Sequence, residues 1–444
     1  MVELGIIDWV LWLAYVCLAS LLLILYRNSK IDDPSYRFFL PGFAIKTLGG
    51  LVFGLVYIYY YPGGDTTEYY KNASILFEVQ TENFTDYLRL MSSEAGQIPG
   101  DLKDYGSRMG YSSGQEEWFM VRVLSIVNFI GFNSFLVTTF LISLISFLGV
   151  WKLFKVFSGF VQKTHWAFIA AFLTPSVVFW GSGILKDTMV MFTLSIMIWA
   201  CYRLFYLKER KITLFILFLI MGYAAFRFKS YVLILFLPAM LIGLYVQFRK
   251  SIKSRIVKLL VTPILLTGIT IGGYQGVLFL TTSSGKYDLN GIEGKVKGFH
   301  SWHVYQGGSV YTLGEIEYTA TGVMKKIPAA LNVTFFRPYL WEASNIVVFF
   351  GAIESLIFLL LVLRLLFLRT YNLKLLFTHP FFVMLFVYIL LLGFAVGFTS
   401  FNFGALARYK IPVMSMFSFI LLAFNFDPLY QRFKDISHKT VSSL

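Results

Sequence analysis

Charge is what this sequence has least of. Only 14% of its 444 residues are Asp, Glu, Lys or Arg, while 57% are hydrophobic and the mean hydropathy is +0.69. A soluble chain of that length needs far more polar surface, so the composition excludes a soluble globular protein and predicts a polytopic membrane protein. Cysteine is nearly absent. Cys17 and Cys201 both lie in apolar runs, which argues against a disulfide framework or a cysteine metal site. Acidic residues are outnumbered 24 to 38, giving a net charge of +14. In a membrane chain that excess collects in cytoplasmic loops, so it does not imply nucleic acid. There is no G-x-x-x-x-G-K-[ST], no G-x-G-x-x-G opening a Rossmann unit and no G-x-S-x-G. No soluble segment is long enough to hold a nucleotide sugar. These absences argue against an ATP-driven pump and against a cytoplasmic nucleotide-sugar enzyme. No internal repeat or low-complexity tract is visible.

What is present is a series of long, unbroken apolar runs. Such runs are membrane helices rather than barrel strands, which alternate. Lys and Arg recur between them in clusters: Arg27 to Arg37, Lys152 to Lys163, Arg203 to Lys211, Arg249 to Lys258, Arg364 to Lys374 and Arg432 to Lys439. Placing every cluster in the cytoplasm predicts an all-α integral membrane protein with about 11 transmembrane helices, N-terminus outside and C-terminus cytoplasmic. The spans fall at 6–26, 38–61, 134–154, 166–182, 188–206, 212–226, 230–248, 257–279, 346–368, 379–398 and 410–426. The front end of the first run carries Glu3 and Asp8 instead of basic residues, so it reads as a retained span and not a cleaved signal. The run from Trp118 to Phe132 is short, carries Arg122 and breaks the alternation. It reads as an interfacial or re-entrant helix. The whole of 1–444 is then one polytopic domain with two long extracytoplasmic loops, 62–117 and 280–345. The first loop holds ten acidic and four basic residues.

That topology makes several short outer turns unusual. "FWGSGILKDTM" carries Lys186 and Asp187, "AFRFKSY" carries Arg227 and Lys229, "FFRPYLWEAS" carries Arg337 and Glu342, and "FGALARYKIP" carries Arg408 and Lys410. Cations there violate the positive-inside bias, and an anion site at the outer surface would justify them. Arg presents a planar fork of donors to phosphate oxygens, and Lys presents a point charge. An opposing carboxylate acts as general base for an acceptor hydroxyl or binds a divalent cation. "PGGDTTEYY", just past the second span, supplies Asp65 and Glu68 on the same side. Blander readings stand beside these. Asp65-x-x-Glu68 is also a capping-box pattern, Asp187 can cap the following helix, Lys186 can snorkel, Arg227 with Lys229 can bind lipid headgroups, and Arg337 with Glu342 can be an ordinary ion pair. Lys46 and Glu354 fall inside spans, where a charge needs a partner, and a Lys46–Glu354 pair is one solution. His300-x-x-His303 is weak as a metal signal.

"GGDTTEYY", "PSVVFWGSGILKD" and "GALARYKIP" together resemble bacterial multispan proteins of exopolysaccharide and O-antigen gene clusters, the EpsG-like and Wzy-type polymerases, and more loosely the GT-C glycosyltransferases. The resemblance implies an enzyme of the bacterial inner membrane that uses an undecaprenyl-diphosphate-linked saccharide at the outer face. It implies Asp65 as the motif carboxylate and Arg337 and Arg408 as the diphosphate arginines. Wzy-type enzymes often carry R-x(10)-G in two outer loops. Here Arg89 and Gly100 have that spacing, but Arg337 is followed at that distance by Val348. Polymerase, ligase and single-sugar transferase therefore stay open. The expected reading is transfer of a glycosyl unit from a polyprenyl-(di)phosphate donor to a hydroxyl acceptor. Asp65, Glu68 and Asp187 are the catalytic candidates; Lys186, Arg227, Lys229, Arg337, Glu342, Arg408 and Lys410 bind substrate. Asp65 is the candidate ligand for any divalent cation. Expected partners are the lipid-linked saccharide, the glycan acceptor, the bilayer and other polysaccharide-assembly proteins, with no nucleic acid. The rival expectations are a flippase or other transporter, and a non-catalytic membrane subunit of a secretion or surface machine.

Overall fold

A computed structural model describes residues 3–61, 63–254, 309–317, 319–368 and 373–427, with a few isolated residues beyond them. Among the described residues the chain is all α-helical, with no sheet. The helices are α1 (Ile6–Asn28), α2 (Phe39–Tyr59), α3 (Asp65–Glu82), α4 (Phe84–Ser92), α5 (Lys103–Arg108), α6 (Gln115–Ile130), α7 (Phe135–Ser158), α8 (Thr164–Phe168), α9 (Pro175–Trp180), α10 (Lys186–Cys201), α11 (Ile212–Phe228), α12 (Ser230–Ser251), α13 (Ala320–Lys325), α14 (Ile327–Phe336), α15 (Ile346–Leu368), α16 (Lys374–Thr378), α17 (Pro380–Thr399), α18 (Phe403–Tyr409) and α19 (Ile411–Phe426).

Among the described residues seven helical segments are long and apolar enough to cross a membrane: Ile6–Asn28, Pro34–Tyr59, Phe135–Ser158, Lys186–Tyr206, Ser230–Ser251, Ile346–Leu368 and Pro380–Thr399. The α18–α19 pair, bent by 71°, makes an eighth if it is one broken span. Apolar side chains on these helices stay exposed, among them Leu13, Leu21, Leu22 and Leu25 on α1 and Leu360, Leu366 and Phe367 on α15. No residue of α1 is buried. Surfaces of that kind need lipid around them, and the protein is a multi-pass membrane protein that contacts the bilayer through these helices.

The sequence count of spans is corrected in two places. The span expected at 166–182 is broken. α8 runs on as a π turn, Ile169–Leu173, and Thr174 is extended at φ −64° and ψ 116° before α9 restarts at Pro175. The proline ring denies its predecessor the helical conformation, which is the cause of the break. The stretch 212–226 is a helix, Ile212–Phe228, but only 17 residues long. The span expected at 257–279 lies outside the described residues, as does most of the loop beginning at 280. The remainder of that loop is not extended chain. It contains α13 and α14.

The chain divides into two compact units. Unit 1 comprises 1–152, 177–196 and 223–229; unit 2 comprises 153–176, 197–222 and 230–444. In unit 1, α3 to α5 and α6 fold the first loop into a helical body, with α6 packed along α3. Trp118, Met120, Val121 and Leu124 of α6 are buried in protein, while Ile126, Phe129 and Ile130 near its end stay exposed. The segment between α9 and α10 presses on α2 so closely that a Cβ on Gly183 would lie 1.8 Å from the Phe53 ring. In unit 2, α17 packs against α12 and α14. At Gly397 a Cβ would fall 2.1 Å from the Ala330 carbonyl oxygen, and small residues of this kind let membrane helices approach closely.

Candidate functional site

The acidic stretch after the second span is built by two glycines. Gly63 and Gly64 have φ of +139° and +136°, a region glycine reaches without strain. Gly64 is the N-cap of α3, and Asp65 is its first helical residue. The capping-box reading of Asp65 and Glu68 is thereby corrected: Asp65 makes no cap, and Glu68 pairs with Lys71 at 2.8 Å on the exposed side of the helix. Asp65 is half-buried, and its Oδ1 accepts a hydrogen bond of 2.9 Å from the Tyr111 hydroxyl. Tyr111 is itself fixed, its N–H donating to Asn72 Oδ1 at 3.0 Å and its ring lying 4.8 Å from the Tyr69 ring.

The out-of-place cations of unit 1 meet carboxylates. Lys186 Nζ donates to Glu117 Oε1 at 2.6 Å and to Glu116 Oε2 at 3.3 Å. Lys229 Nζ donates to Asp187 Oδ1 at 2.5 Å. Lys186, Asp187 and Lys229 are all buried, so Lys186 does not snorkel and Asp187 is more than a cap. Arg227 is half-buried and lies over the Phe119 ring at 5.3 Å. One buried phenol reports how these groups assemble. Burial holds the Tyr69 hydroxyl well above its usual range, and the charges of Asp65, Glu117 and Asp187 add to the effect. Burial likewise raises Tyr111, followed by the charge and hydrogen bond of Asp65. Both phenols therefore stay protonated, and Tyr111 donates to Asp65. The neighbourhood holds four carboxylates (Asp65, Glu116, Glu117, Asp187) against two lysines (Lys186, Lys229). With Arg227 beside them the cations number three, and both lysines are engaged by carboxylates.

Unit 2 holds the other predicted residues. Arg337 and Glu342 form an ion pair, and Glu342 Oε2 also accepts from the Tyr339 N–H at 2.8 Å. Burial alone would raise the Glu342 carboxyl, but the Arg337 bond, the Tyr339 N–H and the Arg337 charge hold it below its ordinary 4.5. The guanidinium lies 5.7, 5.4 and 5.8 Å from the rings of Tyr311, Phe403 and Tyr339. Arg408 is half-buried near the end of α18, 5.7 Å from the Tyr409 ring. Lys410 is buried at the α18–α19 bend and donates to the Thr334 carbonyl at 3.2 Å.

Each of the two in-span charges has backbone partners within its own unit. In unit 1, Lys46 Nζ donates to the carbonyls of Val177 at 3.0 Å and Gly181 at 2.8 Å, backbone acceptors exposed where α9 ends. In unit 2, Glu354 Oε2 accepts from the Ser176 N–H at 2.6 Å. A broken helix offers backbone groups that must be satisfied, and both charges meet such groups.

Among the described residues no group of three or more His, Cys, Asp or Glu side chains is arranged to hold a metal ion. His300 and His303 lie outside the described residues. Tyr69, Tyr111, Glu116 and Glu117 were missed as site residues. One sequence signal pointed to the glutamates: two adjacent carboxylates open the apolar helix "EEWFMVR", where they can stay only with cationic partners. No known protein family, curated protein or solved structure matches this chain.

Proposed function

We propose that the chain is a glycosyltransferase or polysaccharide polymerase of the bacterial inner membrane. It transfers a glycosyl unit from a polyprenyl-(di)phosphate-linked donor to a hydroxyl acceptor at the extracytoplasmic surface. The observation that supports this reading is the acidic site of unit 1, in which Asp65 is oriented by a phenol that stays protonated. In the proposed step Asp65 takes the acceptor's hydroxyl proton. The acceptor oxygen bonds to the anomeric carbon, and the bond from that carbon to the phosphate oxygen breaks. The polyprenyl (di)phosphate leaves with the bonding pair. Phosphate binding is assigned to Arg337 and Arg408 by the resemblance and by guanidinium chemistry. In this reading Lys186 and Lys229 serve as ion-pair partners of Glu116, Glu117 and Asp187 rather than as phosphate ligands.

The expected topology, with about 11 crossings and the first loop outside, is part of the same proposal. The test is glycan output from a lipid-linked donor supplied to the purified protein in liposomes. Asp65→Asn should lower turnover by about 10²-fold or more, as loss of a general base does, and Arg408→Ala by a similar factor. Glu68→Gln should be nearly silent, since Glu68 pairs only with exposed Lys71 among its described ion pairs. Stable Asp65→Asn and Arg408→Ala proteins with full output would refute the assignment. The buried charges of unit 2 favour transport as a second reading. A flippase would move the lipid-linked saccharide without forming a new glycosidic bond, so product analysis separates the two.

A further inference from the structure

Glu354 is a buried acidic group that the proposed reaction does not use. It is 2% exposed, in the middle of α15. One carboxyl oxygen accepts from Ser176 N–H, and the Ser176 hydroxyl lies beside the carboxyl; among the described residues neither Oε1 nor that hydroxyl makes a hydrogen bond of good geometry. Among the described residues Lys410 is the titratable group whose charge acts on Glu354. Lys410, also 2% exposed, does not close onto it and instead donates to the Thr334 carbonyl. An ionised carboxylate with an orphan oxygen is costly at this depth, and so is a lone ammonium. Two arrangements lower the cost. In one, a proton sits on Glu354, and the only charge left is the Lys410 ammonium tied to the Thr334 carbonyl. In the other, Glu354 is ionised and Lys410 pairs with it.

From this geometry we propose that Glu354 is a proton-binding site within the membrane part of unit 2, exchanging its proton against the Lys410 ammonium. The balance is simple: one proton is bound to or released from Oε1, one negative charge is cancelled or created, and no other covalent bond changes. The exchange has a structural lever. Thr334 lies near the C-terminal end of α14, which runs into Arg337, and the Arg337 carbonyl accepts from the hydroxyl of Ser355, the residue after Glu354, at 3.1 Å. When Lys410 leaves Thr334, the end of α14 loses one of these two ties. Neither the proton site nor the lever rests on the proposed phosphate role of Arg337.

The test uses the purified full-length protein in liposomes and dicyclohexylcarbodiimide, an apolar reagent that modifies protonated carboxyls. Mass spectrometry reads the adduct on Glu354 from pH 5 to pH 9. Labelling should fall about tenfold per pH unit above its midpoint. In Lys410→Met the midpoint should move to higher pH, because the cation that favours the ionised form is gone. No label at pH 5, or equal labelling at pH 5 and pH 9, overturns the proposal on the wild-type protein alone, whether or not the variant folds. The lever has its own readout. Hydrogen exchange at the α14 C-terminus, corrected for the intrinsic pH dependence, should change across the midpoint in wild type and not in Glu354→Gln. An α14 that exchanges alike on both sides of the midpoint removes the lever. None of these measurements depends on glycan product, so the site stands or falls apart from the transfer reaction.

Discussion

Lys229 and Asp187 show what a buried ion pair does to the reading of a single residue. Each is nearly excluded from water, and the contact is 2.5 Å. Removing one partner strands a charge and costs ~3–5 kcal/mol, whereas exchanging both for apolar side chains of similar volume is near neutral. Lys229→Met and Asp187→Leu should each lower the thermal unfolding midpoint of the detergent-purified protein. The double variant should recover most of that loss and still fail in glycan transfer. Single variants as stable as wild type would mean that the pair is not closed in the membrane. The sequence singled these two residues out, because a cation in a short turn expected outside violates the positive-inside bias. Glu116 and Glu117 carried only the signal of paired carboxylates opening an apolar helix, and their partner appears only when α6 brings them to Lys186. Tyr69 and Tyr111 carried no signal at all, since phenols are common in a chain that is 19% aromatic.

Helix ends explain the charges that the sequence left unassigned. Lys46 closes the carbonyls where α9 ends, and Ser146 Oγ adds a 2.7 Å bond to the Gly181 oxygen. Asp427 accepts from the N–H groups of Gln162 and Lys163, just before α8, at 3.1 and 2.8 Å. Each is a charged side chain set against orphan backbone groups of a short or broken helix, with the sign that the helix dipole favours. Reading the sequence for side-chain partners missed this, since the partner is backbone and the break is announced only by Pro175. Lys46→Met leaves two carbonyls to fewer donors and should cost about 1–3 kcal/mol for each one left unsatisfied. The unfolding midpoint of the variant checks it, and a midpoint equal to wild type contradicts it. The exposed helices α3 to α5 are held differently. Arg108 pairs with Glu78, and Arg89 with Asp86 and Asp101. The hydrogen bond from Arg108 lowers Glu78 from its ordinary 4.5, and that from Arg89 lowers Asp101 from 3.8. A carboxylate lowered in the folded state stabilises above its ordinary value and stops doing so as the pH falls through the folded one. Proteolysis between α3 and α6 should therefore accelerate below about pH 4, and more weakly in high salt. Cleavage rates that do not change between pH 7 and pH 3.5 would count against these ties.

At the scale of the whole chain, the bilayer decides how many helices cross. Hydropathy alone made the all-α membrane class and most long helices legible, because a span of apolar residues has few other fates. It could not separate a crossing helix from a broken one, since Thr174–Pro175 changes backbone conformation without changing mean hydropathy. The broken segment 164–180 therefore sets the parity of everything after it. If it crosses, the segments around Lys163 and Arg210 share the cytoplasmic face. If it re-enters and leaves on the same side, Arg210 falls on the face opposite Lys163. Single cysteines at exposed Lys163, Arg210 and Ser113, in a background of Cys17→Ser and Cys201→Ala, test this with a membrane-impermeant maleimide. The proposed topology expects Ser113→Cys to label in intact cells, and Lys163→Cys and Arg210→Cys only after permeabilisation. Labelling of Arg210→Cys in intact cells, with Lys163→Cys protected, would make 164–180 a re-entrant pair. It would also place the α9–α10 turn, with Lys186 and Asp187, on the cytoplasmic side, where no extracytoplasmic donor could reach it.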